Sequence, residues 1–201
     1  MSAAEGLLAV AVGYLLGSIP FGLLLTRLAG LGDIREIGSG NIGATNVLRT
    51  GNRWLAAATL LLDGGKAAAA VLIVRYFVPD PPLAYSLAGM AAFIGHIFPV
   101  WLRFKGGKGV ATFAGALLAI NWIVGLIFCA TWLFIALTQR MSSLAALTAA
   151  ATAPIFAYAF SGPHLAAGTA VMSVILFFTH GENIRRLLDN TEPRIGQGKE
   201  K

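Results

Sequence analysis

Residues 110–137 read VATFAGALLAINWIVGLIFCATWLFIAL, 28 residues interrupted near the middle by the polar pair Asn121 and Trp122. About 20 apolar helical residues cross a bilayer, so this run is too long for one simple span. The chain around it has the same character: 57% of its 201 residues are hydrophobic and 12% are charged, with a mean hydropathy of +0.74. A soluble domain carries about 25% charged residues, so an integral membrane protein is expected. Further apolar spans cover residues 4–26, 54–74, 83–102, 144–160 and 165–179. The first begins beside acidic Glu5 and ends without a small-residue cleavage site, so it reads as a retained helix rather than a signal peptide. Its Gly13 and Gly17, four apart, allow another helix to approach closely.

Lysine and arginine decide how residues 110–137 are divided, because short cytoplasmic loops concentrate basic residues. If the run turns at Asn121, the cytoplasmic side receives Arg27, Arg35, Arg49, Arg53, Arg103, Lys105, Lys108, Arg140, Arg185, Arg186, Arg194, Lys199 and Lys201, which is 13 of the 15 basic residues. Only Arg75 then lies outside, with Lys66 inside a span. If the run crosses once, Arg140 and the five basic residues of the tail move outside, and seven face seven. The expected fold is therefore all-α and integral to the membrane, a single domain over residues 1–201. It has seven transmembrane helices, some of them short, with the N-terminus outside and the C-terminus cytoplasmic. The segment 110–120 is the short one, about 16 Å at 1.5 Å per residue.

This topology brings three polar segments to one face: 39–49 (SGNIGATNVLR), 104–112 (FKGGKGVAT) and 180–187 (HGENIRRL). In the first, Gly38, Gly40 and Gly43 permit unusual backbone geometry. Ser39, Asn41, Thr45 and Asn46 offer hydroxyls and amides, and Arg49 supplies a fork suited to phosphate. In the second, Gly106, Gly107 and Gly109 flank Lys108 just before a helix whose N-terminal amides attract anions. The spacing is not that of a nucleotide-binding P-loop, so ATP is not inferred. Solvated loops that satisfy positive-inside topology remain the alternative for both. His96 lies on an apolar helix before the second loop, where it is either a satisfied structural histidine or a site residue. His180, Asn183 and Arg186 recur every three residues and share a face. Asp63 and Lys66, also three apart, read as an ion pair within a span that supports the site.

Other chemistries are excluded by counting. The net charge of +6 does not signal nucleic acid, because the basic residues are not gathered on a solvated, aromatic-bearing surface. The lone Cys129 permits no disulfide framework or thiolate metal site. The nine carboxylates form no close pair for a two-metal site, and no metal or cofactor is expected. Ser39 lacks the G-x-S-x-G elbow. The positions five residues after the histidines are Trp101, Thr169 and Arg185, so the histidine–aspartate pair of many glycerolipid acyltransferases is absent.

The chain resembles the bacterial acyl-phosphate:glycerol-3-phosphate acyltransferases nearly end to end. The matching stretches are GYLLGSIPFG at 13–22, the first polar segment, Asp63 with Lys66, GHIFPVWLRFKGGKGVAT at 95–112, and H-x-x-N-I-x-R-L at 180–187. Three departures stand out: Ala67 follows Lys66 where the family often has glycine, Gly181 replaces a usual basic residue, and Asn190 stands where glycine is expected.

The resemblance implies transfer of a fatty acyl group from acyl phosphate to glycerol 3-phosphate at the cytoplasmic face of the bacterial inner membrane, without a covalent acyl-enzyme. Ser39, Arg49, Lys108 and His96 are then the expected catalytic residues. The amides of Gly106, Gly107 and Gly109, with Lys108, Ser39, Thr45 and Asn46, would take the acyl phosphate headgroup. Arg49 with Lys105 or His96 would hold glycerol 3-phosphate, and Asn41, Ser143, His180 and Asn183 would complete the binding set. The implied partners are these two substrates, membrane lipid and, transiently, the synthase that delivers acyl phosphate. A phosphate-ester transporter and a noncatalytic lipid-binding protein are the rivals. The chain has no internal repeat, and its polar residues gather at one face rather than at midplane, which counts against the transporter.

Overall fold

Asn121 does divide the long apolar run: Val110–Ile120 and Trp122–Gln139 are separate helices in the computed structural model, which describes residues 1–196. The cause is local. Asn121 Oδ1 accepts from the amides of Ile123 (3.0 Å) and Val124 (3.2 Å), capping the second helix, while its Nδ2 donates to Ser161 Oγ (2.6 Å). An asparagine cap supplies an acceptor that no apolar neighbour could offer to the unused first-turn amides. Of the basic residues counted for topology, Lys199 and Lys201 lie outside the described residues.

All regular structure among the described residues is helical, and the chain forms two compact units, Met1–Ile120 and Asn121–Lys201. The first holds α1 (Ala3–Gly17), α2 (Phe21–Leu28), α3 (Ala44–Leu48), α4 (Arg53–Phe77), α5 (Leu83–Ile97) and α6 (Val110–Ile120). The second holds α7 (Trp122–Gln139), α8 (Ser142–Ser161), α9 (Pro163–Thr179) and α10 (Gly181–Leu188). Five stretches are long and apolar enough to cross a membrane: Ala3–Leu28, Arg53–Phe77, Leu83–Leu102, Trp122–Gln139 and Ser142–Ser161. Pro163–Thr179 with Gly181–Leu188, bent by 65°, makes a sixth if taken as one span. At 11 residues, α6 is shorter than the roughly 30 Å hydrocarbon core requires. Large apolar side chains such as Leu61, Phe134 and Leu137 point outward, at 73%, 65% and 71% exposure, as lipid-facing residues do.

Within the first unit, α1 lies directly on α5 because Gly13 and Gly17 carry no side chain. A Cβ on Gly13 would strike the Ala88 carbonyl, and one on Gly17 the Ala92 backbone. Gly115 of α6 abuts Gly64 of α4 in the same way. Alanines 67, 70, 92 and 116 fill the seam between them, so packing rests on close backbone approach rather than on large side chains. Polar contacts tie α1 to the exit of α5: Tyr14 Oη donates to Phe98 O (2.9 Å), and Trp101 Nε1 donates to Ser18 O (2.7 Å).

Within the second unit, Pro154 sits inside α8. Proline has no N–H for the carbonyl four residues earlier. That carbonyl, Ala150 O, accepts instead from Ser173 Oγ on α9 at 2.7 Å. A neighbouring hydroxyl restoring a freed carbonyl is how proline is tolerated inside an apolar helix.

Candidate active site

In the first unit, the segment between α2 and α4 is built around Asn46, which is 2% exposed. Its Nδ2 lies within donating distance of three carbonyls, Ile34 O (3.0 Å), Ile37 O (2.9 Å) and Asn41 O (2.8 Å), and its Oδ1 accepts from the Ser39 amide (3.0 Å). Gly38 and Gly40 turn through φ of +59° and +70°, which glycine adopts without strain. A side chain at Gly38 would strike both Asn46 and Arg49. Asn41 Oδ1 caps the loop internally by accepting from Gly43 N (2.8 Å). Asn46, expected to bind a headgroup, is therefore engaged in shaping the loop. Ser39, Thr45 and Arg49 are exposed, and Arg49 Nη1 reaches Asn46 Oδ1 at 3.5 Å. At the loop's edge, the Arg35 guanidinium beside Asp33, despite the opposing effect of burial, holds the Asp33 carboxyl well below the usual range, with Arg27 adding a bond at 2.7 Å.

The glycine-rich loop differs from expectation in which amides it can offer. Gly106 N donates to Ile97 O (2.9 Å) and Gly107 N to His96 O (3.0 Å), so both cap the end of α5 rather than facing outward. Gly109 turns at φ +87°, and a Cβ there would strike the Phe93 ring. The amides that open α6, from Val110 to Thr112, have no acceptor within the helix, and such first-turn amides attract anions. Thr112 Oγ1, one of three buried polar side-chain atoms among the described residues with no hydrogen-bond partner, lies in the same turn. Lys105 is exposed and Lys108 half-buried beside it.

Beneath this loop, Lys66 Nζ is 2.7 Å from Asp63 Oδ1, 2.7 Å from Ile19 O and 2.9 Å from His96 Nδ1. His96 is 4% exposed. One ring nitrogen meets Lys66, and the other abuts Gly107 so closely that a Cβ at 107 would collide with it. His96, expected among the catalytic groups, thus has both nitrogens turned to the protein and supports the loop.

In the second unit, Ser143, Asn183 and Arg186 converge on Glu192, whose carboxylate accepts from Ser143 Oγ (2.6 Å), Asn183 Nδ2 (2.7 Å) and Arg186 Nε (2.8 Å). Burial pushes that carboxyl up, but these three bonds and the arginine charge outweigh it and hold it below its ordinary value. His180 Nδ1 is 2.9 Å from Leu176 O. A carbonyl only accepts, so Nδ1 carries a hydrogen. Asn190 ends α10 at φ +56°, which explains why glycine is the residue expected there. Gly181 faces open space, where a longer basic side chain would fit.

Glu192 was missed by sequence reading. The three-residue spacing of His180, Asn183 and Arg186 signals donors on one face, but their shared acceptor lies beyond the end of α10, where periodicity no longer applies.

The family described as glycerol-3-phosphate acyltransferase matches residues 7–190. The chain is 62% identical over 190 residues to the glycerol-3-phosphate acyltransferase of Mesorhizobium japonicum, covering 94% of this chain and 96% of that one. It is 59% identical over 193 residues to that of Caulobacter vibrioides, covering 96% and 88%. Among solved structures, it superposes on PlsY (YgiH), an integral membrane glycerol 3-phosphate acyltransferase, in its glycerol 3-phosphate form. The TM-score is 0.89 at 38% identity, over 95% of this chain and 96% of that one. The lysophosphatidic acid form gives 0.87 at 36% identity, over 95% of each chain.

Proposed function

Because the chain belongs to the glycerol-3-phosphate acyltransferase family, we propose that it transfers a fatty acyl group from acyl phosphate to glycerol 3-phosphate, releasing lysophosphatidate and inorganic phosphate. It is a multi-pass membrane acyltransferase, and the donor is the part of this reading that rests on chemistry. The observation that carries the donor is the pairing of cations and a helix start with the absence of a histidine–aspartate pair at the usual spacing. An acyl phosphate is a mixed anhydride with a good leaving group, so positioning and charge suffice where acyl transfer from a thioester calls for stronger activation.

In the proposed reaction, the primary hydroxyl of glycerol 3-phosphate attacks the acyl carbonyl. A C–O bond forms, the C–O bond to phosphate breaks, and the hydroxyl proton passes to a base. Lys108 and the opening amides of α6 stabilise the growing oxyanion and the departing phosphate. Ser39 and Thr45 take part in headgroup binding, while Arg49 and Lys105 hold the phosphate of glycerol 3-phosphate. Ser143, His180 and Asn183 form the second unit's substrate-binding group. The Nε2 of His180 and a substrate phosphate oxygen are the candidate proton acceptors. Residues 1–201 act as one catalytic domain. The basic-residue count supports seven crossings, with the N-terminus outside and the active site on the cytoplasmic side of the bacterial inner membrane.

The test is purified protein with glycerol 3-phosphate and, in separate reactions, acyl phosphate, acyl-CoA or acyl carrier protein. Lysophosphatidate forming from acyl phosphate supports the reading, and none forming from it refutes the donor. Ser39→Ala, Arg49→Ala and Lys108→Ala should each lower turnover about 10²- to 10³-fold in folded protein.

A further inference from the structure

Lys66 is bound more elaborately than an ion pair requires. An ammonium has three hydrogens, and here they meet three acceptors on three parts of the first unit: Ile19 O at the break between α1 and α2, Asp63 Oδ1 one turn back on α4, and His96 Nδ1 on α5. The Lys66 and Asp63 side chains are 2% and 3% exposed. At that depth a charge needs a counter-charge, and Asp63 alone supplies it.

The other two contacts have mechanical consequences. His96 carries the glycine loop twice, through its carbonyl to Gly107 N at 3.0 Å and through the ring edge pressed against Gly107. Only glycine fits there. The chain of contact runs from the α1–α2 break through Lys66 to His96, and from His96 to the loop that leads into Lys108 and α6.

We propose that Lys66 is a positioning residue for acyl transfer, acting through His96. By holding Nδ1 it fixes the ring, the ring fixes Gly107, and Gly107 sets the place of Lys108 and the first turn of α6. The inference rests on the function proposed above.

The decisive variant is Asp63→Asn with Lys66→Met, which removes both charges and leaves neither unpaired; such replacements are often neutral in stability. Three quantities are measured on purified protein: the melting temperature, kcat and KM for acyl transfer, and the rise in melting temperature produced by glycerol 3-phosphate. The double variant should melt within a few degrees of wild type. Its kcat/KM should nonetheless fall about 10²-fold, the usual consequence of a displacement of about 1 Å at a reacting centre. The thermal shift from glycerol 3-phosphate should shrink, because Lys105, which holds its phosphate in the proposed reaction, leads straight into the Gly106–Gly107 turn that His96 anchors, and that shift tracks affinity. A folded double variant with wild-type kinetics and a wild-type shift overturns the proposal.

His96→Asn keeps an acceptor near Nδ1 but withdraws the ring from Gly107. Added to the double variant, it should cause little further loss, since all three substitutions break one chain. Additive losses overturn the proposal as well. Should the double variant fail to fold, Lys66→Arg keeps the charge and re-aims its donors, and wild-type turnover in that folded variant has the same consequence. If wild-type protein makes no product from acyl phosphate, the donor reading fails by itself, and the glycerol 3-phosphate thermal shift still decides the role of Lys66.

Discussion

Replacing Asn46 by alanine tests whether the first polar loop is a built scaffold or an ordinary solvated connection. The side chain lies 2.8–3.0 Å from three carbonyls and one amide. Its two amide hydrogens can satisfy two of those carbonyls fully, and Oδ1 satisfies the Ser39 amide, so about three net hydrogen bonds are lost. At about 0.5–1.5 kcal/mol each, the loop should lose about 1.5–4.5 kcal/mol, which is a factor of about 10 to 2,000 in its opening equilibrium. Hydrogen exchange by mass spectrometry in lipid nanodiscs should show amides of residues 38–50 exchanging about 10²-fold faster, with the cores of α4 and α5 unchanged. Acyl transfer should fall with it, because Ser39 and Arg49 are presented by this loop. Asn46→Asp separates the contributions: it keeps the acceptor for Ser39 N but sets a carboxylate against three carbonyls, and should be no better than alanine. Wild-type exchange in residues 38–50 of Asn46→Ala would refute the reasoning outright.

Two further outcomes follow from the second unit. Ser173→Ala strips the Ala150 carbonyl of its donor and should destabilise by about 1–3 kcal/mol in thermal or denaturant unfolding. The loss should be much smaller in a Pro154→Ala background, where residue 154 regains an N–H; equal losses in both backgrounds would show that Ser173 does not serve the proline break. Glu192 has a depressed folded-state value, so its stabilising contribution is complete above the ordinary carboxylate value, about pH 4.3. It is lost as pH falls through the folded value. Exchange protection over residues 180–196 should therefore drop on acidification below about pH 4 in wild type, and Glu192→Gln should lack that step. The same acid profile in both proteins would remove Glu192 as the organiser of Ser143, Asn183 and Arg186.

Much of this molecule is legible along the chain. The division at Asn121 follows from the length of the apolar run and its polar break, and the structure adds the cap and the bond to Ser161 that enforce it. Gly13 and Gly17 announce a close helix contact, which α5 provides. Asp63 with Lys66, three apart inside an apolar span, reads as an ion pair, and the two side chains meet at 2.7 Å. The site was less legible. The amides of Gly106 and Gly107 look available in sequence, yet both are taken by the end of α5, and Asn46 looks like a ligand while it is the centre of its own loop. A glycine-rich segment advertises that backbone can approach something, but not what it approaches.

The sequence by itself determined the solvent the chain folds in, the positions of its long apolar stretches and the residue types brought to the polar segments, because hydrophobicity, stretch length and charge bias are local or additive; that the first stretch, read as one helix over 4–26, breaks between Gly17 and Phe21 was not among them. Only the tertiary structure decided which of those polar groups are already engaged. Hydrogen-bond partners 47 residues apart, as for Lys66 and Ile19, or 49 apart, as for Ser143 and Glu192, depend on how helices meet. A donor's partner is set by distance and direction in space, and no periodicity along the chain encodes either.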